Sequence, residues 1–237
     1  MGQPDWMPDK WQVYQEFQNV VFCHYPLDTE VLRPHVPQEL PLDAFEGKAY
    51  VSLVGLLLRD CHLRWNKLFP LNFQQLNVRT YVTIDGKPGV YFLSMDANSW
   101  LMTTVGRVFY DMAYYHAQAS SKQDGEWTTY RYQRKGADPN PPRFDVRFRP
   151  TGEPFEAQPG SLEQFLAERY WMYQVDKDGS IYAGELFHPH WKMRKAEAIV
   201  EHNSMTAPYG FALPEEEMVA YFSKGVPTVS KKIVKVP

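Results

Sequence analysis

Residues 76–84 alternate apolar and polar side chains, Asp85-Gly86-Lys87-Pro88-Gly89 turns the chain, and residues 90–95 bring an apolar run back. Period-two alternation puts successive side chains on opposite faces of a strand, and a glycine-bearing turn between two such runs makes a hairpin. The pattern recurs. Residues 113–121 are set to pair with 126–135 across Gln123-Asp124-Gly125, and residues 170–175 with 180–187 across Asp176-Lys177-Asp178-Gly179. Further strand signals lie at 19–24, 48–58, 191–201, 218–223 and 226–236. A chain this rich in hairpins folds as an antiparallel barrel or sandwich.

Helices are few and short. Asp28 can cap residues 29–33, which Pro34 and Pro37 cut off. Asn98 can cap a helix to about Phe109, with Leu101, Val105, Val108 and Phe109 on one stripe. Ser161 followed by Gln164 reads as a capping box. The proline-rich stretch 135–142 reads as a surface loop, since strand alternation resumes at Phe144, Val146 and Phe148. No repeat or linker divides the chain, so residues 1–237 are expected to form one domain.

Composition narrows the class. An apolar content of 44% suffices for a core, and 15% aromatic content suits pleated surfaces and cavities. A net charge of −3 argues against nucleic acid, which selects a basic footprint. The longest apolar run, residues 51–58, has the length of a strand and not of the roughly 20-residue membrane span. The polar, proline-containing start lacks a signal-peptide pattern, so a cytoplasmic location is expected. Cys23 and Cys61 fit no disulfide framework and no CxxC metal site; two buried thiols are expected.

Chemistry-bearing residues concentrate on two strands. Met112, Tyr114, His116 and Gln118 share one face of the first. Gln75, Asn77, Arg79, Tyr81 and Thr83 share one face of the second. Such a stripe can line a ligand cavity, because binding sites place a few convergent polar groups among aromatics. From periodicity alone, however, it reads as the solvated face of a sheet. Arg107, on the helix that feeds the Tyr114 strand, can clamp a carboxylate or pair with Asp111 or Asp96. His188 and His190 share a face but lack a third ligand at a fixed spacing, so they are weak metal candidates and the expected metal content is none. No P-loop, GxGxxG or GxSxG is present, and no cofactor is expected. Lys231 and Lys232 read as part of a solvated tail strand.

These segments together carry a resemblance. Leu32-Arg33-Pro34 with Val36-Pro37, residues 76–82, residues 86–92, Gly106-Arg107, Tyr114-Tyr115-His116-Ala117, Gly160-Ser161-Leu162 with Glu168-Arg169-Tyr170, and His190-Trp191 resemble the uncharacterised YqjF-like family of the acetoacetate-decarboxylase-like superfamily. The resemblance implies a closed antiparallel β-barrel with flanking short helices and an internal cavity. The decarboxylases of that superfamily follow a Gly-Arg pair with a proline and two lysines, one of which forms a Schiff base with a β-keto acid. Here Gly106-Arg107 matches, the proline position holds Ala113, and the lysine positions hold Tyr114 and Tyr115. The assisting carboxylates fall near Ser52 and Gln75, and the substrate arginine near Gln18.

Tyrosine forms no iminium with a ketone, so decarboxylation through a Schiff base is not expected; function resides in the site and not in the fold. The expected protein is a small-molecule-binding barrel for a small organic acid or carbonyl compound. Its pocket would be lined by Asn77, Arg79, Arg107, Tyr114, Tyr115 and His116, with no nucleic-acid or membrane partner and self-association into a homo-oligomer left open. The alternatives are a non-covalent acid–base enzyme using Tyr114 and His116, of isomerase, hydratase or lyase type, and a non-catalytic interaction module.

Overall fold

The computed structural model describes residues 4–110 and 112–236; the side chains of residues 109 and 110 also lie outside the description. The chain is mainly strand. In order it runs β1 (Val13–Leu27), α1 (Thr29–Leu32), β2 (Ala49–Leu63), β3 (Asn66–Ile84), β4 (Lys87–Ala97), α2 (Trp100–Tyr110), β5 (Tyr114–Asp124), β6 (Trp127–Arg134), β7 (Arg143–Phe155), α3 (Leu162–Ala167), β8 (Trp171–Val175), β9 (Ile181–Phe187), β10 (Met193–Asn203), β11 (Val219–Ser230) and β12 (Val234–Lys235). The three expected hairpins form, as β3–β4, β5–β6 and β8–β9.

The strands lie in the order β12-β9-β8-β4-β3-β2-β1-β11-β10-β7-β6-β5, and the additional pairings β9–β11 and β4–β5 close the sheet on itself. Two closed circuits result, and both run through β4-β3-β2-β1-β11. That topology explains the continuous apolar run in β2, where Ala49 to Leu56 are buried without alternation. A strand walled on both sides has no solvated face. Val21, Cys23, Val51, Leu53, Leu76 and Val78 pack on one side with Tyr130, Tyr132, Phe144 and Phe148. Val20, Phe22, Val54, Leu56 and Leu58 pack on the other with Phe73, Trp191 and Tyr221. Each such ring or branched chain, once fully buried, contributes roughly 1.5–3 kcal/mol.

Three expectations need correction. The sheet is not wholly antiparallel: β4 runs parallel to β5, pairing Met95 with Tyr114, and parallel to β8, pairing Gly89 with Trp171. Parallel neighbours need a crossover, and α2 supplies it between β4 and β5. The two C-terminal strand signals around Lys224-Gly225 form one strand, β11, through Val219–Ser230. Gly225 makes this continuity feasible: at φ 119° it sits against Phe17, whose carbonyl oxygen would lie 1.7 Å from any Cβ at this position. The helix caps also differ. Asp28 makes no side-chain cap and instead pairs with Lys48 at 2.7 Å, while Ser99, not Asn98, accepts from the Met102 amide at the start of α2. At α3, Ser161 accepts from the Gln164 amide as expected, but Gln164 closes back on the Gly160 amide.

Cys23 and Cys61 are free and buried, and burial pushes their thiols up to about 12 and about 11. Among the described residues, no helix is long and apolar enough to cross a membrane, which says nothing of spanning by strands.

Candidate functional site

The polar stripe of β3 faces inward. Gln75, Asn77 and Tyr81 are 5%, 9% and 0% exposed, so the solvated-face reading of this strand gives way to an interior one. The reason is that β3 belongs to both closed circuits, so its central residues are covered on either face.

Gln75 and Asn77 reach one wall of a cavity of about 160 Å³. By comparison, an engineered apolar cavity of roughly 150 Å³ takes up benzene. Phe17 of β1, Met95 of β4, Met102 and Val105 of α2, and Met172 of β8 make much of its apolar lining. Tyr114 of β5 completes the polar wall. Its hydroxyl donates to Gln75 Oε1 at 3.1 Å, and Gln75 Nε2 donates to Asn77 Oδ1 at 2.5 Å. The chain of donors runs from phenol to amide to amide. Asn77 Oδ1 is engaged as acceptor, which leaves the Asn77 Nδ2 protons to meet a cavity occupant. Burial pushes the Tyr114 phenol well above its ordinary pKa, so at neutral pH it is a proton-bearing donor.

α2 holds that tyrosine in place. An added Cβ at Gly106 would lie 2.3 Å from Tyr114 Cδ2. The bare glycine is therefore the floor on which the Tyr114 ring rests, and the Gly-Arg pair of the sequence has its physical reason in the glycine.

The other expected pocket residues are dispersed. Arg107 is exposed on α2 and is not among the cavity-lining residues; its candidate partner Asp111 lies outside the described residues. The other candidate, Asp96, is taken by Arg134 through bonds of 2.8 and 2.9 Å. Tyr115 points outward, 38% exposed, with the Arg134 guanidinium 3.6 Å from its ring centroid. His116 does not line the cavity, and its Nδ1 is buried without a hydrogen-bond partner. Gln18 bonds to Glu16 at 2.8 Å, away from the cavity lining.

Arg79 joins a second interior group. Its Nη2 donates to the Leu166 carbonyl at 3.2 Å, and its guanidinium lies over the rings of Phe22 and Tyr81. Nearby, Ser52 Oγ lies 2.6 Å from both His24 Nδ1 and the Tyr81 hydroxyl. Burial, with Arg79 adding repulsion, holds the His24 imidazole well below its ordinary pKa. Sequence reasoning passed over His24 because a single histidine on an apolar strand carries no spacing signal.

His188 is buried and stacked on Tyr170, with Nδ1 donating to the Pro189 carbonyl at 2.9 Å, whereas the His190 side chain is exposed and 3.4 Å from Glu168. The two do not converge, and the described residues hold no cluster of three metal-ligating side chains. Lys231 also departs from its expected place in a solvated tail: it follows β11, lines the cavity and pairs with Glu185 at 2.8 Å.

Comparison with known proteins gives this geometry its context. The chain is 34% identical over 216 residues to the uncharacterized protein YqjF of Bacillus subtilis, covering 90% of this chain and 88% of that protein. Its fold is similar to acetoacetate decarboxylase from Legionella pneumophila, with TM-score 0.66 and 14% identity over 100% of this chain and 92% of that one. It is also similar to the enduracididine biosynthesis enzyme MppR complexed with pyruvate, with TM-score 0.65 and 12% identity over 97% of this chain and 91% of that one. Residues 14–227 match the DUF2071 family model. The chain therefore belongs to DUF2071, a family of uncharacterized conserved proteins with an acetoacetate-decarboxylase-like fold.

Proposed function

We propose that this protein binds a small carbonyl compound or organic acid, non-covalently, in the cavity walled by Gln75, Asn77 and Tyr114. One observation carries the reading. Where the resemblance puts a Schiff-base lysine, the chain has a half-buried tyrosine that donates into an amide pair at the edge of a largely apolar, benzene-sized space. That combination, mostly apolar lining with a few fixed polar groups, is what small-molecule sites share. The MppR–pyruvate complex supports the ligand class by likeness of fold.

The same replacement takes away the amine at the position where the resemblance puts the Schiff base, and the one lining amine, Lys231, is engaged with Glu185 at 2.8 Å. An amine is needed to form the iminium that accepts the electron pair as carbon dioxide leaves, and neither a phenol nor an amide can form one. Binding is preferred over acid–base catalysis because Tyr114 stays protonated and His116, the expected base, is not at the cavity. With no carboxylate or histidine among the described lining residues, Tyr114 orients and donates.

The test is ligand-induced stabilisation, since whatever binds the folded state raises its melting temperature. Small carboxylic acids and ketones should stabilise the wild type, and Val105→Phe, which fills the cavity from α2, should abolish the shift while the protein still folds. An equal shift in both proteins would mean that the ligand does not bind in this cavity.

A further inference from the structure

We infer that Lys231 makes this an acid site. The ligand class is a carboxylate with an apolar body, held with its carboxylate against Lys231 at the mouth and its body inside. The inference rests on the cavity reading above and names the ligand class it would serve.

The cavity has a charged end. Lys231 is the sole basic residue among its described lining residues, and none of those residues is acidic. It adjoins an open depression of about 420 Å³, and the two spaces share Gln12 and Lys231 in their linings. That outer space adds Lys10 and Lys232, with Glu185 as its one acid. Glu185 is already committed to Lys231 at 2.8 Å. Lys10 and Lys232 are exposed and have no acidic partner among the described residues. The mouth therefore has three ammonium groups against one carboxylate, above an interior lined by Phe17, Leu58, Phe92 and the methionines.

Charge and volume together select the ligand. The inner space takes about a benzene ring. A bare ammonium such as that of Lys10 steers an anion, and an ammonium at the edge of an apolar wall holds it more strongly than one in open water. A neutral ligand of the same shape would gain nothing from the mouth. A dicarboxylate would have to bury its second charge among methionines, which is costly. A monocarboxylate with a compact apolar tail satisfies both ends.

Calorimetric titration with 3-phenylpropionate and its neutral isostere 3-phenylpropanamide tests this. The acid should bind the wild type about tenfold more tightly than the amide at low salt, the gap expected when one charge-assisted hydrogen bond is made, and added salt should narrow it. Lys231→Met should remove that preference and leave amide binding in place. Glu185→Gln, which frees Lys231, should tighten acid binding several-fold and gives a readout even if Lys231→Met fails to fold. Equal binding of acid and amide, or acid binding unchanged in Glu185→Gln, overturns the inference while the cavity reading stands. Binding of neither compound overturns both.

Discussion

Burial at His24 and His188 holds both imidazoles in their neutral form, because an interior site penalises the charged one. The unfolded chain takes up protons at these residues below about pH 6.5, whereas the folded chain resists them. Stability contributed by the two neutral rings is therefore complete above that pH and falls as the pH drops. The loss is at most about 1.4 kcal/mol per pH unit for each histidine. Denaturant melts at pH 7.5 and 5.5 should show a decline for the wild type and a smaller one for His24→Gln. Equal declines would place the acid sensitivity elsewhere. His24 also shows what a single sequence conceals. Its partner Ser52 lies 28 residues away and Tyr81 57 away, and only the β1–β2–β3 register brings the three together. Tyr114 stands out in the sequence by contrast, because the resemblance sets it where the decarboxylases carry a lysine.

The pairing of α2 with β5 is the element on which the cavity wall depends. A glycine in a helix interior would ordinarily be improved by alanine, which gains up to about 1 kcal/mol in helix propensity. At Gly106 the added Cβ meets the Tyr114 ring at 2.3 Å. Gly106→Ala is expected to destabilise by about 1–3 kcal/mol, the usual cost of overpacking, and to weaken ligand binding by moving Tyr114. Adding Tyr114→Ala should recover part of that loss, a coupling that a double-mutant cycle reads directly. A neutral or stabilising Gly106→Ala would mean that the ring is not seated on α2. The strands themselves were largely legible, since alternation and turn residues are local. The parallel placement of β5 and β8 beside β4 was not, because nothing in a strand's own pattern states which neighbour it takes. The inward aim attributed to Arg107 failed for a similar reason: sequence fixes a helix's stripe but not the rotation at which a long side chain leaves it.

At the scale of the molecule, two closed circuits sharing one wall convert a polar stripe into a cavity lining. That is why Gln75 and Asn77 resemble surface residues in the sequence and are buried in the fold. The fold is similar to that of the acetoacetate decarboxylases, and under the proposed reading Tyr114 stands where the resemblance puts their lysine, so the space would hold a ligand without bonding to it. Lys231 was hidden in the sequence by its place near the end of the chain. Only the β11–β9 pairing, Ser230 beside Leu186, sets it at the mouth. The proposed site is a non-covalent one between Tyr114, Asn77 and the methionine-lined wall. A crystal structure of the protein soaked with phenylpyruvate, which offers a ring, a ketone and a carboxylate together, tests it most directly. The ring is expected inside the cavity, with an oxygen within hydrogen-bonding distance of Asn77 or Tyr114 and no continuous density from the ketone carbon to any lysine. A carbon–nitrogen bond to Lys231, or the compound bound elsewhere with the cavity empty, would contradict it.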